Sequence, residues 1–388
     1  MDTTDPKRKA AIVADIEAGL TYSEICFKHK VSSKTVRKFG KAMPQNAEHF
    51  GTLAAENRTL RDRIRKITDK EREFESLLLR AAELMPKHVP VRAGKHTDAK
   101  PELDFHALRS DEQAGAFITA LDTNGTGGYS SSIYVERLHA WADKILTFHR
   151  QDKRSLGLNK LVIHRLGDWL EGETIYPGQA FYIDAPVVDL IYQTVIPHEV
   201  EVMRRLASHF ESIEQFCVIG NHGRAGKKGD HHWRTNFEYI AYRTLQAALA
   251  SQPNVKTFVS ESMSMIVQHG QYRFLLNHGG HLSSNYGVPY YAMDRTYKAL
   301  PNLYGMIIDL LLVGHRHTPV NLQDQVMMNG CMPGGSELSV NVMLTSSRPS
   351  QKIFYFDQEK GVNRESSLYL SDHIRLTPDK DGIYTPHS

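Results

Sequence analysis

Five short stretches of this 388-residue chain end in side chains that can hold metal ions. Leu108-Arg109-Ser110 leads into Asp111-Glu112-Gln113, and the run 161–166 leads into Gly167-Asp168. The run 216–219 leads into Gly220-Asn221-His222, the run 274–277 into His278-Gly279, and Leu311-Leu312-Val313 into Gly314-His315-Arg316-His317. Each run is strand-like and too short for a helix, so each reads as a strand. A single histidine is more often structural than functional, and several of the 20 here must be. Five strand ends of one kind are harder to attribute to chance, and the carboxyl edge of a sheet is where α/β folds place their sites. Oxygen and imidazole donors without thiolates suit Mn²⁺, Fe²⁺ or Zn²⁺ and argue against a structural zinc site. Two such ions about 3.5–4 Å apart activate a water and clamp a phosphoryl group, with a carboxylate able to bridge them.

The elements that must position these residues follow from periodicity. An amphipathic helix is expected over 130–148, with Ile133, Leu138, Trp141, Ile145 and Leu146 on one face. Further helices are expected over 188–210 and 233–250, and strands over 258–267, 272–276 and 311–313. Alternating short apolar runs and helical patterns imply an α/β layered domain from about Leu103.

The five stretches resemble the D-x-H, GD, GNH, H-G and GHxH motifs of the calcineurin-like metallophosphoesterase superfamily, in the same order, over about residues 103–319. The resemblance implies a two-sheet β-sandwich flanked by helices, with a dinuclear site at its rim. It implies that Asp111, Gln113, Asp168 and His317 hold one metal, and that Asp168 (as bridge), Asn221, His278 and His315 hold the other. Asp168 and His222 are then the catalytic pair, His222 contacting the phosphate and protonating the leaving oxygen. Two departures stand out. Gln113 replaces the family histidine; its neutral amide is a weaker ligand and favours a hard, exchangeable ion, Mn²⁺ first, with Mg²⁺, Fe²⁺ and Zn²⁺ also compatible. Gly223 stands where many relatives carry an acid that orients the histidine, and Asp230 is a candidate substitute. Phosphoesterases encoded by bacterial viruses resemble this chain in the glutamine and in the segment NGCMPGGSELS. A more distant resemblance is to DNA repair nucleases of the SbcD type.

Arg224, Lys227, Lys228 and Arg234 cluster after the GNH motif with His231, His232 and Trp233. Cations and an aromatic beside such a site suit a polynucleotide; a basic surface loop with a core Trp233 is the plainer account. Upstream, residues 7–43 read as three short helices, and 28–41 holds six Lys or Arg and no Asp or Glu. The pattern resembles the helix-turn-helix of recombinases and small transcription regulators, which would turn Ser33, Lys34, Arg37 and Lys38 towards DNA; the alternative is a small helical cap with a solvated basic face. From 53 to 85 a heptad can be laid down. Leu53, Leu60, Ile67, Phe74 and Ala81 take one core column, and Asn57, Ile64, Glu71, Leu78 and Met85 the other. That segment is either a homo-oligomeric coiled coil or one long helix folded back on the body.

The expected organisation is a helix-turn-helix head (1–48), a long helix or coiled coil (49–86), a Pro- and Lys-rich linker (87–102) and a metallophosphoesterase domain (103–388). A net charge of +3 is too near neutral to imply nucleic acid by itself. Three scattered cysteines make no disulfide framework and suit a reducing cytoplasm. The N-terminal residues lack the apolar core of a signal peptide, and the longest apolar run, 306–313, contains Asp309. The expectation is a soluble protein of the bacterial cytoplasm, including that of a virus-infected cell, with DNA and further copies of itself as partners. The leading functional reading is a Mn²⁺-dependent DNA nuclease. The others are a phosphatase or phosphodiesterase acting on small nucleotides or phosphoproteins, and a non-catalytic DNA-binding regulator.

Overall fold

The computed structural model describes residues 6–40, 56–66, 69, 76, 80, 88–173, 175, 178–227, 231–280, 289–336, 339–340, 346–372 and 382–383. Lys228, Asp230 and most of the heptad positions (Leu53, Ile67, Glu71, Phe74, Leu78, Ala81 and Met85) lie outside them. The chain divides into two compact units, Met1–Glu73 and Phe74–Ser388.

In the first unit α1 (Pro6–Glu17), α2 (Tyr22–His29) and α3 (Ser33–Gly40) close on a small core of Ile12, Ile25 and Val36. Thr21 and Glu24 form a reciprocal capping box at the start of α2, and Lys30 ends it in the left-handed region at φ 50°. Ser32 Oγ accepts from Thr35 N at 3.3 Å, so it caps α3 as its position before the helix suggests. Residues 56–66 are helical, with Leu60 and Ile64 exposed.

The second unit is a four-layered α/β/β/α sandwich. Its six-stranded sheet runs β11-β10-β1-β2-β3-β4, with β1 (Asp104–Arg109), β2 (Lys160–Arg165), β3 (Ser212–Cys217) and β4 (Val255–Val259) mutually parallel. The antiparallel β10 (Ser350–Asp357) and β11 (Gly361–Tyr369) complete that sheet. The five-stranded sheet runs β5-β6-β7-β9-β8, built from β5 (Ser264–His269), β6 (Tyr272–Asn277), β7 (Leu310–Val313), β8 (Val320–Leu322) and β9 (Val326–Met328). All six β1 residues are buried, as a strand covered on both faces requires. Leu108, Val162, Phe216, Phe274, Leu312 and Phe354 fill the space between the sheets. Outside the larger sheet pack α4 (Ser131–Leu156), α5 (Ile196–Ala207) and α6 (Phe237–Ala248), burying Trp141, Ile145, Met203 and Leu245. Outside the smaller sheet α7 (Pro289–Tyr304) buries Met293 and Leu300.

Four boundaries differ from the sequence expectation. The strand expected over 216–219 is β3, which starts at Ser212 and ends at Cys217; a bond from Val218 N to Arg165 O (2.9 Å) is the last before the chain turns away. The single strand expected over 258–267 is two, β4 and β5, in different sheets. The polar run Ser260-Glu261-Ser262 makes the crossing, Ser260 Oγ bonding Ser264 O at 2.8 Å. The helix expected from 233 starts at Phe237, because the Asn236 side chain caps it by accepting from Glu238 N at 2.8 Å. Within 188–210 the chain makes a π turn over Leu190–Val195 before α5, where Pro197 has no N–H to continue the regular ladder. The stretch 88–100 has no regular secondary structure yet lies on the body: Gly94 N bonds Phe210 O (2.9 Å) and Thr97 N bonds Asn159 Oδ1 (2.9 Å).

Candidate metal centre

Both sheets deliver their loops to one rim. Asp111 follows β1, Asp168 follows β2, Asn221 and His222 follow β3, His278 follows β6, and His315 and His317 follow β7. Asp111, Gln113, Asp168, His315 and His317 all have positive φ, at 52°, 44°, 55°, 69° and 57°. Each such conformation costs a non-glycine residue about 1–3 kcal/mol, and concentration of that strain at one rim is typical of sites that over-determine their geometry.

At the centre stands Asp168. Its Oδ1 accepts from His222 N at 2.8 Å, while Oδ2 is buried and makes no aligned hydrogen bond. His278 Nε2 lies 2.9 Å from Oδ2, 3.1 Å from Asn221 Oδ1 and 3.2 Å from His315 Nδ1. The His278 Nδ1–H donates to Leu166 O at 2.8 Å, which leaves Nε2 able to ligate a metal. Ligand atoms of Asp168, His278 and His315 all fall within 4.8 Å of one another. Nearby, His317 Nε2 is 3.4 Å from Asp111 Oδ1, and Asp111 is held by His315 N at 2.9 Å. Gln113 lines the same cleft as His317 and His222. The expected ligands therefore gather in two adjoining groups about Asp168, one of oxygens with His317, the other richer in imidazole.

Charge follows the geometry. Burial would raise the Asp168 carboxyl, but His278 and His222 outweigh it and hold it far below the ordinary carboxylate range. Burial would lower His278, yet Asp168 lifts it to about 9. His315, buried and beside His278, falls to about 4.

His222 shows what sequence reasoning missed. Its Nδ1 lies 2.7 Å from Glu171 Oε2, three residues beyond Asp168. Glu171 is buried and is steadied in turn by the Gln179 amide. No acid fits at Gly223: a Cβ there would meet Asn236 Oδ1 and Glu238 Cγ, each at 2.6 Å. The orienting carboxylate comes from the neighbouring loop instead, and the bare sequence signal was only a Glu close behind the GD motif. Burial acts to lower His222, but Asp168 and then Glu171 raise it to about 9, which favours its protonated form. Glu171→Gln should move the His222 titration, followed by NMR in the metal-free protein, down from about 9 towards the ordinary 6.5. The alkaline limb of any hydrolytic activity should follow it, with turnover down about tenfold or more. A His222 titration unchanged in that variant would remove Glu171 from this role.

Gly220 is dictated by close approach. A Cβ on it would lie 2.1 Å from Asp168 Oδ1 and 2.2 Å from Asp168 N. Beneath it, Glu238 Oε2 accepts from Gly220 N at 2.8 Å; burial first, then the charge of Asp168, pushes that carboxyl up to about 8.

Two clefts flank the centre. One of about 540 Å³ takes in Asn221, His278 and His315 with Arg224, Lys227 and Trp233. The other, about 470 Å³, takes in Gln113, His222 and His317 with Phe117 and Tyr182. Arg224 and Lys227 thus share a cleft with Asn221, His278 and His315. Arg234 does not join them; it reaches Glu261 (3.4 Å) and Tyr239 Oη (3.2 Å). On the first unit, Ser33, Lys34, Arg37 and Lys38 are all exposed on α3.

No family model matches the chain, and no curated protein matches it. Solved structures do. A predicted phosphoesterase from Streptococcus pneumoniae is 13% identical, with 68% of this chain and 98% of that one covered and a TM-score of 0.27. A zinc complex of Vps29 from Entamoeba histolytica is 11% identical, with 69% and 99% covered and a TM-score of 0.28. A 5′-nucleotidase precursor from Thermus thermophilus is 13% identical, with 68% and 54% covered and a TM-score of 0.26. Likeness at this level carries no argument about activity, and the chemistry rests on the chain's own residues.

Proposed function

We propose that this chain is a dinuclear-metal phosphodiesterase of the calcineurin-like type and that its substrate is DNA. The observation that carries the first part is the meeting of donors from five strand ends at Asp168, whose buried Oδ2 has no aligned hydrogen-bond partner. Carboxylate, amide and imidazole donors fit two divalent ions, Mn²⁺ first among them. Asp111, Gln113, Asp168 and His317 would hold one, and Asp168, Asn221, His278 and His315 the other. Such ions supply Lewis-acid polarisation of the phosphoryl group and an activated water.

The chain's own groups do the rest. His222, protonated and steadied by Glu171, stands ready to donate its proton to the leaving oxygen. Arg224 and Lys227 line the neighbouring cleft, where Arg224 Nε is buried without a partner and can be satisfied by a phosphate oxygen. Trp233 offers a face on which a base can stack.

DNA as substrate is supported by that cationic, aromatic cleft and by the exposed Ser33, Lys34, Arg37 and Lys38 on the head. The purified full chain with Mn²⁺ should cleave labelled linear or circular DNA, single- or double-stranded, and EDTA should stop it. Turnover of bis-p-nitrophenyl phosphate with every DNA form left intact would redirect the reading to small phosphodiesters. For the head, Arg37→Ala and Lys38→Ala should each weaken DNA binding regardless of sequence. Each should also reduce the slope of log affinity against log salt by roughly one. Unchanged slopes in both variants would separate the head from DNA.

A further inference from the structure

A second group of histidines lies between the two sheets, away from the rim. His106 projects from β1, His164 from β2 and His269 from the end of β5, and all three are buried. Leu108 and Ser110 separate His106 from Asp111, which sets the two groups roughly 15 Å apart along the strand. One ring nitrogen from each histidine falls within 4.8 Å of the others. The His106 and His164 rings are stacked at 5.2 Å, and the His269 ring stands edge-on to both, at 4.8 and 5.5 Å. Phe216, Phe274, Phe354 and Phe356 wall the group in.

An apolar core does not tolerate polar atoms of this kind without a reason. His106 Nδ1 and His164 Nε2 share one hydrogen bond of 2.9 Å. His106 Nε2, His164 Nδ1 and His269 Nε2 are buried and have no partner. Buried polar groups are usually satisfied, so three histidines gathered among phenylalanines call for a reason.

We infer that His106, His164 and His269 form a structural three-imidazole site for a single d¹⁰ metal ion, Zn²⁺ or Cu⁺, that ties β1 and β2 of the larger sheet to β5 of the smaller. Tetrahedral Zn–N bonds of about 2.0–2.1 Å place ligand nitrogens about 3.3 Å apart, close to the 2.9 Å between His106 Nδ1 and His164 Nε2, so ligation through these two atoms would take the place of their shared hydrogen bond. Ligation needs neutral imidazole, and burial supplies it. Burial drives His106 and His164 well below their ordinary range and His269 down to about 3. Three neutral ligands and no carboxylate favour the monovalent ion. The desolvation cost of Cu⁺ is about a quarter of that of a divalent ion of similar size, because it scales with the square of the charge.

The test separates this site from the rim. In full-length Asp168→Ala/His278→Ala protein, which disables the rim, one equivalent of metal should still bind. Co²⁺ would report Zn²⁺-type binding by an intense tetrahedral visible spectrum, and anaerobic competition with a chromophoric chelator would report Cu⁺. X-ray absorption should show three imidazole nitrogens, and the Tm of this rim variant should rise with the metal. Added to the rim variant, His164→Phe or His269→Gln should weaken this equivalent more than tenfold and abolish the Tm rise. Either variant can stand alone if the other fails to fold. Absence of the residual equivalent in the rim variant, or a metal spectrum and Tm rise that persist in His164→Phe and His269→Gln, would overturn the inference. A core that binds neither ion would do so too. None of these outcomes depends on whether the rim hydrolyses DNA.

Discussion

Asp168→Asn is expected to lower metal-dependent phosphodiester hydrolysis by at least about 10³-fold, roughly 4 kcal/mol of transition-state stabilisation. The substitution keeps the shape and removes the charge. Asparagine is among the residues that tolerate the left-handed region, so the backbone at φ 55° can persist. The carbonyl of the new amide can still accept from His222 N, as Oδ1 does now at 2.8 Å. What disappears is the negative charge that lifts His278 and His222 and that the two proposed metal positions would share. Three readouts should therefore move together. Turnover should collapse, metal affinity should fall, and the two imidazoles should titrate at lower pH in the metal-free protein. Tm without metal should stay within a few degrees of wild type, which separates loss of chemistry from loss of fold. Activity within tenfold of wild type would remove Asp168 from the centre of the mechanism.

The largest effect on stability should come from Glu199. Arg109 at the end of β1 and Arg165 at the end of β2 are paired in register and fully buried, two like charges side by side. Glu199 on α5 answers both, meeting Arg109 at 2.6 and 2.9 Å and Arg165 at 2.7 Å. Glu112 also contacts Arg109, and the guanidinium groups lie over Trp141 (4.8 Å) and Trp169 (4.9 Å). This network underlies the loops that bear Asp111 and Asp168. Glu199→Ala leaves two buried cations with one carboxylate, and should cost about 3–5 kcal/mol in denaturant unfolding. That corresponds to roughly 10 °C in Tm. Replacing Arg165 and Glu199 together by leucine, which leaves the Arg109–Glu112 pair balanced, should cost less than Glu199→Ala alone.

The pH dependence has a definite sign. Burial would raise Glu199, but the two arginines hold it down to about 2, below its ordinary 4.5. Its contribution is therefore complete above about pH 4.5 and is lost as pH falls towards 2. The difference in stability between wild type and Glu199→Ala should be constant near neutrality and shrink across that acid window. A difference below 1 kcal/mol at pH 7, or one that grows on acidification, would contradict the account.

Much of this rim could be read in the sequence because strand ends are local events. A strand-like run and a polar ligand follow one another in the chain, usually with a small residue beside the ligand, so the loops bearing Asp111, Asp168, Asn221, His278, His315 and His317 could be named without coordinates. The α/β class followed in the same way from alternating patterns, as did three short helices around Ile12, Ile25 and Val36. Errors fell where local pattern and tertiary demand part. Polar Ser212 and Glu214 begin β3 because parallel pairing with β2, not hydropathy, sets its start. Ser260 to Ser262 carry the chain between sheets, which an apolar count could not show.

What only the tertiary structure decided was which distant residues face one another. Glu171 replaces the acid missing at Gly223 because Asn236 and Glu238 already fill that space. Arg109 and Arg165 need Glu199, which comes from a helix far along the chain. His106, His164 and His269 are three unremarkable letters until two sheets press them together in an apolar core. Periodicity records how each segment meets its own neighbours. Charge balance, proton affinity and ligand sets depend on pairs formed across the fold, and those exist only once it has closed.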